Sequence, residues 1–483
     1  MHRKKKGILK RILRSILWLL ILGTLYSIVV GYLPFAHAPA LSDALRDEAE
    51  SRAEEMAHDI ETDDRAAILE TRTQALDERI RLISQAKREL ILTTYDCRDG
   101  ESTRDILCAV LKKADEGVRV RILIDGVAGR FFVMGKPLFR AIAAHPNIEV
   151  RFYNLFTYVI AWRHMGRMHD KYVIVDDLAY ILGGRNTFDF FLGEYPAPTH
   201  SRDRETLVYN AAHGTEAGRK SSLYQVKDYF ESIWNGRYVF PFSPRMRDDR
   251  REAVYAELNT RRETMASRTP ELFEAVDYSA MTVETRGIWL IHNPTTIYAK
   301  QPTAFAQLTA LMRQAKESVV IHSPYCVMND FTRSVYREIC SAVPVTLMVN
   351  AVENGQNIVA SGDYLFHRQE VLDTGFRVLE YAGGDSYHGK SIAIDGDIAI
   401  IGSYNQDLRS TYVDTELMLV VRSATINAEL RANMEALHAD CQERLPDGTA
   451  VVPDGLTVPA LPFGRGLAMR AIGAIMQLVR NIV

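Results

Sequence analysis

The first apolar block of the chain is unbroken. Residues 15–36 contain no charged side chain, and no acidic residue precedes Asp43. At about 1.5 Å per residue, roughly 20 such residues cross the hydrocarbon core of a bilayer. The pattern predicts a transmembrane helix within residues 1–36, with Trp18, Tyr26 and Tyr32 as candidate interface residues. Residues 37–78 are charged and helix-permissive with no strand alternation, which predicts a helical connector. A pattern then occurs twice. Gln85-Ala-Lys-Arg-Glu-Leu-Ile-Leu-Thr-Thr-Tyr95 matches Gln314-Ala-Lys-Glu-Ser-Val-Val-Ile-His-Ser-Pro-Tyr325. Each copy reads as a helix end running into a strand. Each is followed by a helix (105–116; 331–342), a second strand (118–125; 343–350) and a third (148–153; 376–381). Alternating strands and helices predict βα units and a mostly parallel sheet in each copy. The halves are drawn at 79–240 and 285–445, joined by a charged helical linker at 241–284. The tail, 446–483, is amphipathic: Leu467, Ile472, Ile475, Val479 and Ile482 recur at helical spacing beside Arg465, Arg470 and Arg480. It reads as a basic helix on a membrane surface or, second, as a helix docked on the protein's own core.

Charge sharpens the membrane reading. Seven of the first 14 residues are Lys or Arg: Arg3, Lys4, Lys5, Lys6, Lys10, Arg11 and Arg14. That asymmetry predicts a cytoplasmic N-terminus with the rest outside the cytoplasm. The apolar run, longer than a signal peptide's, with Pro39 directly after the small-x-small site, predicts an uncleaved, single-pass anchor in the cell membrane. Ala36-His37-Ala38 leaves a cleaved signal peptide as the alternative. Over all 483 residues the net charge is −3, which argues against nucleic acid as the partner. The five cysteines (Cys97, Cys108, Cys326, Cys340, Cys441) show no metal spacing and read as buried free thiols.

The candidate chemistry sits at matching places in both copies. Met168-His169-Asp170-Lys171 leads to Asp176 and then to Gly183-Gly184-Arg185-Asn186. Tyr387-His388-Gly389-Lys390 leads to Asp395 and then to Gly402-Ser403-Tyr404-Asn405. Both read H-x-K-x4-D, with His to Asp seven residues apart and His to Asn seventeen. In a strand, i and i+2 share a face, so each His projects with its Lys. A hairpin after the Asp brings the Asn back beside them. One such motif would pass for a packed histidine and a surface lysine; two copies at the same rank of a repeat would not. His164, His292, His322 and His367 have no partner pattern and read as structural.

These residues resemble the phospholipase D superfamily, whose HKD motif is this pattern. The similarity is closest to bacterial cardiolipin synthases, on Gly183-Gly-Arg-Asn-Thr-Phe-Asp-Phe-Phe-Leu-Gly193 and Gly402-Ser-Tyr-Asn-Gln-Asp-Leu-Arg-Ser-Thr-Tyr-Val-Asp-Thr-Glu416. Asp414 stands where that branch usually carries Asn. The resemblance implies an α/β, duplicated phospholipase D-like fold with two mixed or parallel sheets flanked by helices. It implies one shared site where a histidine attacks phosphorus and a second serves the alcohols. His169 is the expected nucleophile and His388 the expected acid. Lys171, Lys390, Asn186 and Asn405 would meet the phosphoryl oxygens, so neither cofactor nor metal is expected. The resemblance also implies a carboxylate behind each imidazole. Glu416 is expected for His388. For the first copy the candidates are Asp203 and Glu205, and Glu205 is favoured because its Leu context matches Thr415-Glu-Leu. Asp176 and Asp395 are expected to support turns, and Ser403 and Arg409 to bind substrate. The implied partners are membrane phospholipids, phosphatidylglycerol first, and the bilayer. The expected activity is phosphatidyl transfer between lipid alcohols. Hydrolysis to phosphatidic acid is the nearest alternative, and a phosphodiesterase or nuclease with the same dyad is more remote.

Overall fold

A computed structural model describes residues 2–157 and 160–483. The side chains of Arg3, Lys4, Lys5 and Lys6 lie outside the described set. A helix runs from His2 to Tyr32 and continues as the tighter turn Leu33–Phe35, and the stretch Lys10–Phe35 is apolar and long enough to cross a membrane. The body carries two nine-stranded mixed sheets. In spatial order the first has strands beginning at Val283, Asp64, Glu205, Ala179, Tyr172, Glu89, Arg119, Ile148 and Val239. The second runs Ile288, Leu417, Ile398, Ser391, Val319, Val345, Arg377, Cys441 and Ala450. From Glu205 to Ile148, and from Leu417 to Arg377, the strands correspond one to one.

The sheets are less parallel than the βα alternation predicts. Among the described residues of these two sheets, only the strands from Glu89, Arg119 and Ile148, and from Val319, Val345 and Arg377, run parallel to one another. The rest of each sheet is antiparallel. After the third strand the chain returns as the hairpin Tyr172–Val175 and Ala179–Gly183, or Ser391–Ile394 and Ile398–Gly402. That hairpin follows the His/Lys pair, and its direction brings both pairs to one end of the sheets.

The connector read as wholly helical contains a strand. Asp64–Leu69 pairs antiparallel with Glu205–Asn210, so the first sheet begins inside that segment. Its burial alternates over the first five residues, but the buried positions include Asp64 and the small Ala66, so the residue types do not show the apolar alternation that a sequence reading needs. The preceding helix, Asp43–Met56, buries Ala49, Ala53 and Met56 against the second half. The charged linker helix Asp248–Arg268 also docks: Leu258 is fully buried, and Arg261 reaches Asp105 at 2.5 Å and Glu101 at 2.7 Å.

Each half has an outer core under its helices. Between the halves lies a shared core in which Ile174, Tyr180, Leu182 and Val208 of one sheet meet Ala393, Ala399, Ile401 and Leu419 of the other. Burying both sheet faces fixes their register, since a one-residue slip would turn apolar side chains outward.

The last motif residue closes the far end of each hairpin. Asp176 accepts the backbone amides of Lys87, Arg88 and Glu89 at 2.7–2.9 Å. Asp395 accepts those of Lys316, Glu317 and Ser318 at 2.8–3.0 Å. Both stand at positive φ, 52° and 45°, a conformation that Asp tolerates better than most residues. The repeated Gln-Ala-Lys segment is therefore the backbone that each aspartate receives.

Candidate active site

Both histidines line one cavity of about 290 Å³, with Tyr95, Asn186, Tyr325, Asn350, Asn405, Asp407, Arg409 and Asp414 also in its wall. Two short pairings between the halves build it. Ser386–Tyr387 runs parallel to Ser201–Arg202, with Tyr387 opposite Arg202. Met168 bridges Thr415 in the same sense. The backbone amide of His388 donates to Arg202 O at 2.7 Å. That of His169 donates to the Thr415 hydroxyl at 3.2 Å. Each histidine thus stands next to the residue following its partner strand, Asp203 for His388 and Glu416 for His169.

The carboxylates are consequently crossed between halves. His388 Nδ1 donates to Asp203 Oδ2 at 2.6 Å. His169 Nδ1 lies 3.0 and 3.1 Å from the two oxygens of Glu416. Glu416 therefore serves the first histidine, correcting its expected pairing with His388. Glu205 serves neither. It is fully buried against Arg79 in a two-pronged ion pair with both contacts at 2.5 Å. Strand register explains the error. Gly183 pairs with Glu205, and its counterpart Gly402 pairs with Met418. Glu205 therefore corresponds to Met418, and Asp203, two residues earlier, corresponds to Glu416. The matching Leu contexts were out of phase by two, a shift that keeps the same face.

The rest of the constellation is asymmetric. Glu416 also accepts the hydroxyls of Ser403 at 2.5 Å and Ser410 at 2.6 Å. Ser403 is fully buried with its hydroxyl turned to this carboxylate, so it is not at the cavity wall as expected of a substrate-binding residue. Its counterpart in the first half is Gly184, where a Cβ would stand 2.4 Å from Asp203 Oδ1. The shorter Asp203 comes closer to the strand, and only Gly fits beneath it. Arg409 does line the cavity, with its guanidinium held by Asp414 at 2.8 and 3.1 Å. The Asp that departs from the usual Asn is thus the partner of that arginine.

Burial pushes the His169 imidazole well below its ordinary range, with Lys171 and Lys390 adding to the effect. Burial and then Lys390 push His388 down to about 3, against the pull of Asp203. Burial and the two lysines thus favour the neutral form of both imidazoles. Asp203 behaves oppositely: burial opposes its charge, but the hydrogen bond from His388 and the charge of Lys390 hold it well below the usual carboxylate range. Glu416 is pushed up to about 8 by burial, with Lys171 and the two serine hydroxyls opposing. Burial also lowers the lysines, Lys171 to about 7 and Lys390 to about 8. Lys171 and Lys390 each donate to the backbone oxygen of their own histidine. Lys390 Nζ also lies 2.8 and 3.1 Å from the ring nitrogens of His388. Asn186 Oδ1 accepts the Asp96 amide at 3.1 Å, and Asn405 Nδ2 donates to the Tyr325 hydroxyl at 3.2 Å.

Tyr95 and Tyr325 were missed, although they end the two repeated segments and a repeat marks equivalent positions. The Tyr95 ring meets the His169 ring edge-on at 5.2 Å. Asp170, between His169 and Lys171, was also passed over. It accepts the Thr415 hydroxyl at 2.8 Å and the Tyr229 hydroxyl at 2.9 Å, tying the halves together behind the first histidine. His164, His292, His322 and His367 are outside the cavity wall.

The profile of a family described as "Cardiolipin synthase, PLD-like domain" matches residues 80–190 and 308–438, half of the chain. The chain is 25% identical over 401 residues to cardiolipin synthase C of Escherichia coli, covering 74% of this chain and 81% of that protein. It is 24% identical over 414 residues to an uncharacterized protein of Helicobacter pylori, covering 77% and 78%. A phosphatidylserine synthase structure from Haemophilus influenzae superposes over 90% of this chain and all of that one, with a TM-score of 0.63 at 15% identity, which speaks to the fold.

Proposed function

Because this chain belongs to the cardiolipin synthase, PLD-like domain family and is an enzyme of the phospholipase D-type phosphatidyltransferase class, we propose that it joins two phosphatidylglycerols into cardiolipin through a phosphatidyl-histidine. The observation that carries the reading is the crossed pair of His–carboxylate dyads on one cavity. Each half supplies the carboxylate for the other's histidine, so neither half is complete alone.

His169 is the nucleophile. With its Nδ1 proton held by Glu416, its Nε2 lone pair is free to attack phosphorus. The P–N bond forms as the P–O bond to the glycerol headgroup breaks. The phosphodiester anion beside His388 favours protonation of that imidazole, while His169 stays neutral to attack. His388, the more open of the two with 21% of its side chain exposed, then carries the proton beside ionised Asp203 and gives it to the departing glycerol oxygen. A hydroxyl of the second phosphatidylglycerol takes that place, returns a proton to His388 and attacks phosphorus, releasing His169. Asn186 and Asn405 in the cavity wall, with the charges of Lys171 and Lys390 buried beside their own histidines, stabilise the negative charge that builds on the phosphoryl oxygens. The basic N-terminus supports an anchor entering from the cytoplasm, with the catalytic halves outside it.

The test is a product assay on the purified chain in mixed micelles of acyl-labelled phosphatidylglycerol, with lipids resolved by mass. Cardiolipin and free glycerol are expected. Phosphatidic acid alone would make it a hydrolase, and no lipid product would overturn the lipid reading.

A further inference from the structure

The wall of the cavity is joined to the end of the anchor. Arg409 Nη2 donates to Met165 O at 2.7 Å. Met165 packs in one small apolar cluster with Phe35, Met476, Ile482 and Val483. A Cβ on Gly31 would stand 3.1 Å from Ala161 O, so the anchor helix passes directly against the turn Ala161–Arg163. On the other side Asn481 Nδ2 donates to Ala36 O at 2.8 Å.

Around this junction large apolar side chains face outward. Leu33, Phe131, Phe132, Trp162, Ile475 and Leu478 are between 37% and 78% exposed. Single exposed apolar residues are ordinary, but a contiguous set marks a contact surface. Phe131 lies 5.5 Å from Phe156, which lies 4.5 Å from His164, two residues beyond Trp162. Ile475 and Leu478 flank Met476, a member of the anchor-end cluster. Besides the anchor end that carries Leu33, the three segments that supply this rim, 126–140, 160–168 and 461–483, contain no Asp or Glu, in a chain whose net charge is −3. They do carry Arg130, Lys136 and Arg470 at exposed positions.

We propose that this rim is seated in the lipid leaflet from which the anchor emerges, so that the phospholipid reaches the cavity from the leaflet and not through water. The rim continues the spanning helix, and its cations without acids match anionic headgroups. The tail helix Phe463–Met476 then does both things foreseen for it. One face, Met469 and Gly473, packs on Gly362 and Phe366 of the second half, and the other presents Leu467 and Ile475 outward. The inference rests on the phosphatidyl-transfer reading for its substrate but not for its geometry.

The experiment therefore has two readouts. The full chain is placed in nanodiscs containing phosphatidylglycerol, with a fluorophore on a cysteine introduced as Phe131→Cys, Trp162→Cys, Leu478→Cys or Lys220→Cys. Lys220 ends the turn Ala217–Lys220, which Asn210 ties to Asp177 by donating to both Gly218 O and Asp177 O at 3.0 Å, at the end of the sheet away from the histidines. Quenching by lipids spin-labelled near the headgroup is expected at the first three positions and not at Lys220. Equal quenching at all four, or none, would overturn the proposal. In the second readout, Phe131→Asp with Trp162→Asp should lower turnover of bilayer phosphatidylglycerol by about tenfold or more, while turnover of a short-chain, monomeric phosphatidylglycerol stays close to wild type. Equal losses on both substrates would overturn it. Absence of lipid turnover by the unmodified chain would count against the transferase reading and leave the quenching result to stand by itself.

Discussion

Replacing Asp203 with Asn should slow the enzyme without unfolding it, whereas replacing Glu205 with Gln should do the reverse. Asp203 is fully buried and accepts Nδ1–H of His388 at 2.6 Å. A hydrogen bond to a charged group contributes about 1.5–3 kcal/mol. At about 1.36 kcal/mol per tenfold in rate, losing the charge predicts a fall in kcat of about 10- to 150-fold. An Asn that offers its NH2 to Nδ1 would also invert the imidazole tautomer, adding to the loss. Glu205 touches no histidine but holds Arg79 in a buried ion pair at 2.5 Å. Breaking such a pair from one side costs about 3–5 kcal/mol of stability. Glu205→Gln should thus unfold at lower temperature, while kcat per folded molecule stays within about threefold of wild type. Steady-state kinetics beside a thermal melt separates the two. A catalytic collapse in Glu205→Gln at unchanged Tm, with Asp203→Asn fully active, would refute the crossed pairing and restore the alignment on Leu contexts.

Other perturbations follow from the same geometry. The pKa values of Lys171 and Lys390 are lowered to about 7 and 8, so each loses its proton as pH rises through that range. The kcat/KM of the free enzyme should fall on that alkaline side as the coupled pair discharges; a profile flat up to the ordinary lysine range, near 10.4, would contradict it. Ser403→Ala removes a hydroxyl 2.5 Å from Glu416 and should lower kcat about 5- to 10-fold, with KM unchanged, since Ser403 is behind the site. An increase confined to KM would return Ser403 to substrate binding. Asp176→Ala orphans three backbone amides and should cost roughly 3 kcal/mol by denaturant titration, with kcat per folded molecule retained. Loss of turnover at full stability would give Asp176 a chemical role.

The duplication was readable because it is written twice. The repeat from Gln85 and Gln314, the equal His-to-Asn spacings and the shared rank of both motifs each constrain the others. The N-terminal helix was readable from one unbroken apolar run. What the sequence hid depends on neighbours that are far apart in the chain. Asp203 and Glu205 differ by two residues on one strand face, and only the pairings Tyr387 with Arg202 and Gly183 with Glu205 tell them apart. Glu416 lies 28 residues beyond His388 yet serves His169, because short segments of the two halves pair at the cavity. The strand Asp64–Leu69 was hidden because its buried positions include Asp64 and Ala66 rather than large apolar residues. Tyr95 and Tyr325 were legible as repeat positions but carry no chemistry until the cavity places them beside His169 and Asn405.

The most direct measurement is capture of the covalent intermediate. The full chain in phosphatidylglycerol micelles is quenched with alkali on the timescale of turnover, digested, and its peptides are weighed. A phosphatidyl remnant on the peptide carrying His169, lost in His169→Ala and absent from His388, is the predicted result. An adduct on His388, or turnover to cardiolipin in His169→Ala at the wild-type rate, would contradict a single site built from both halves with His169 as its nucleophile.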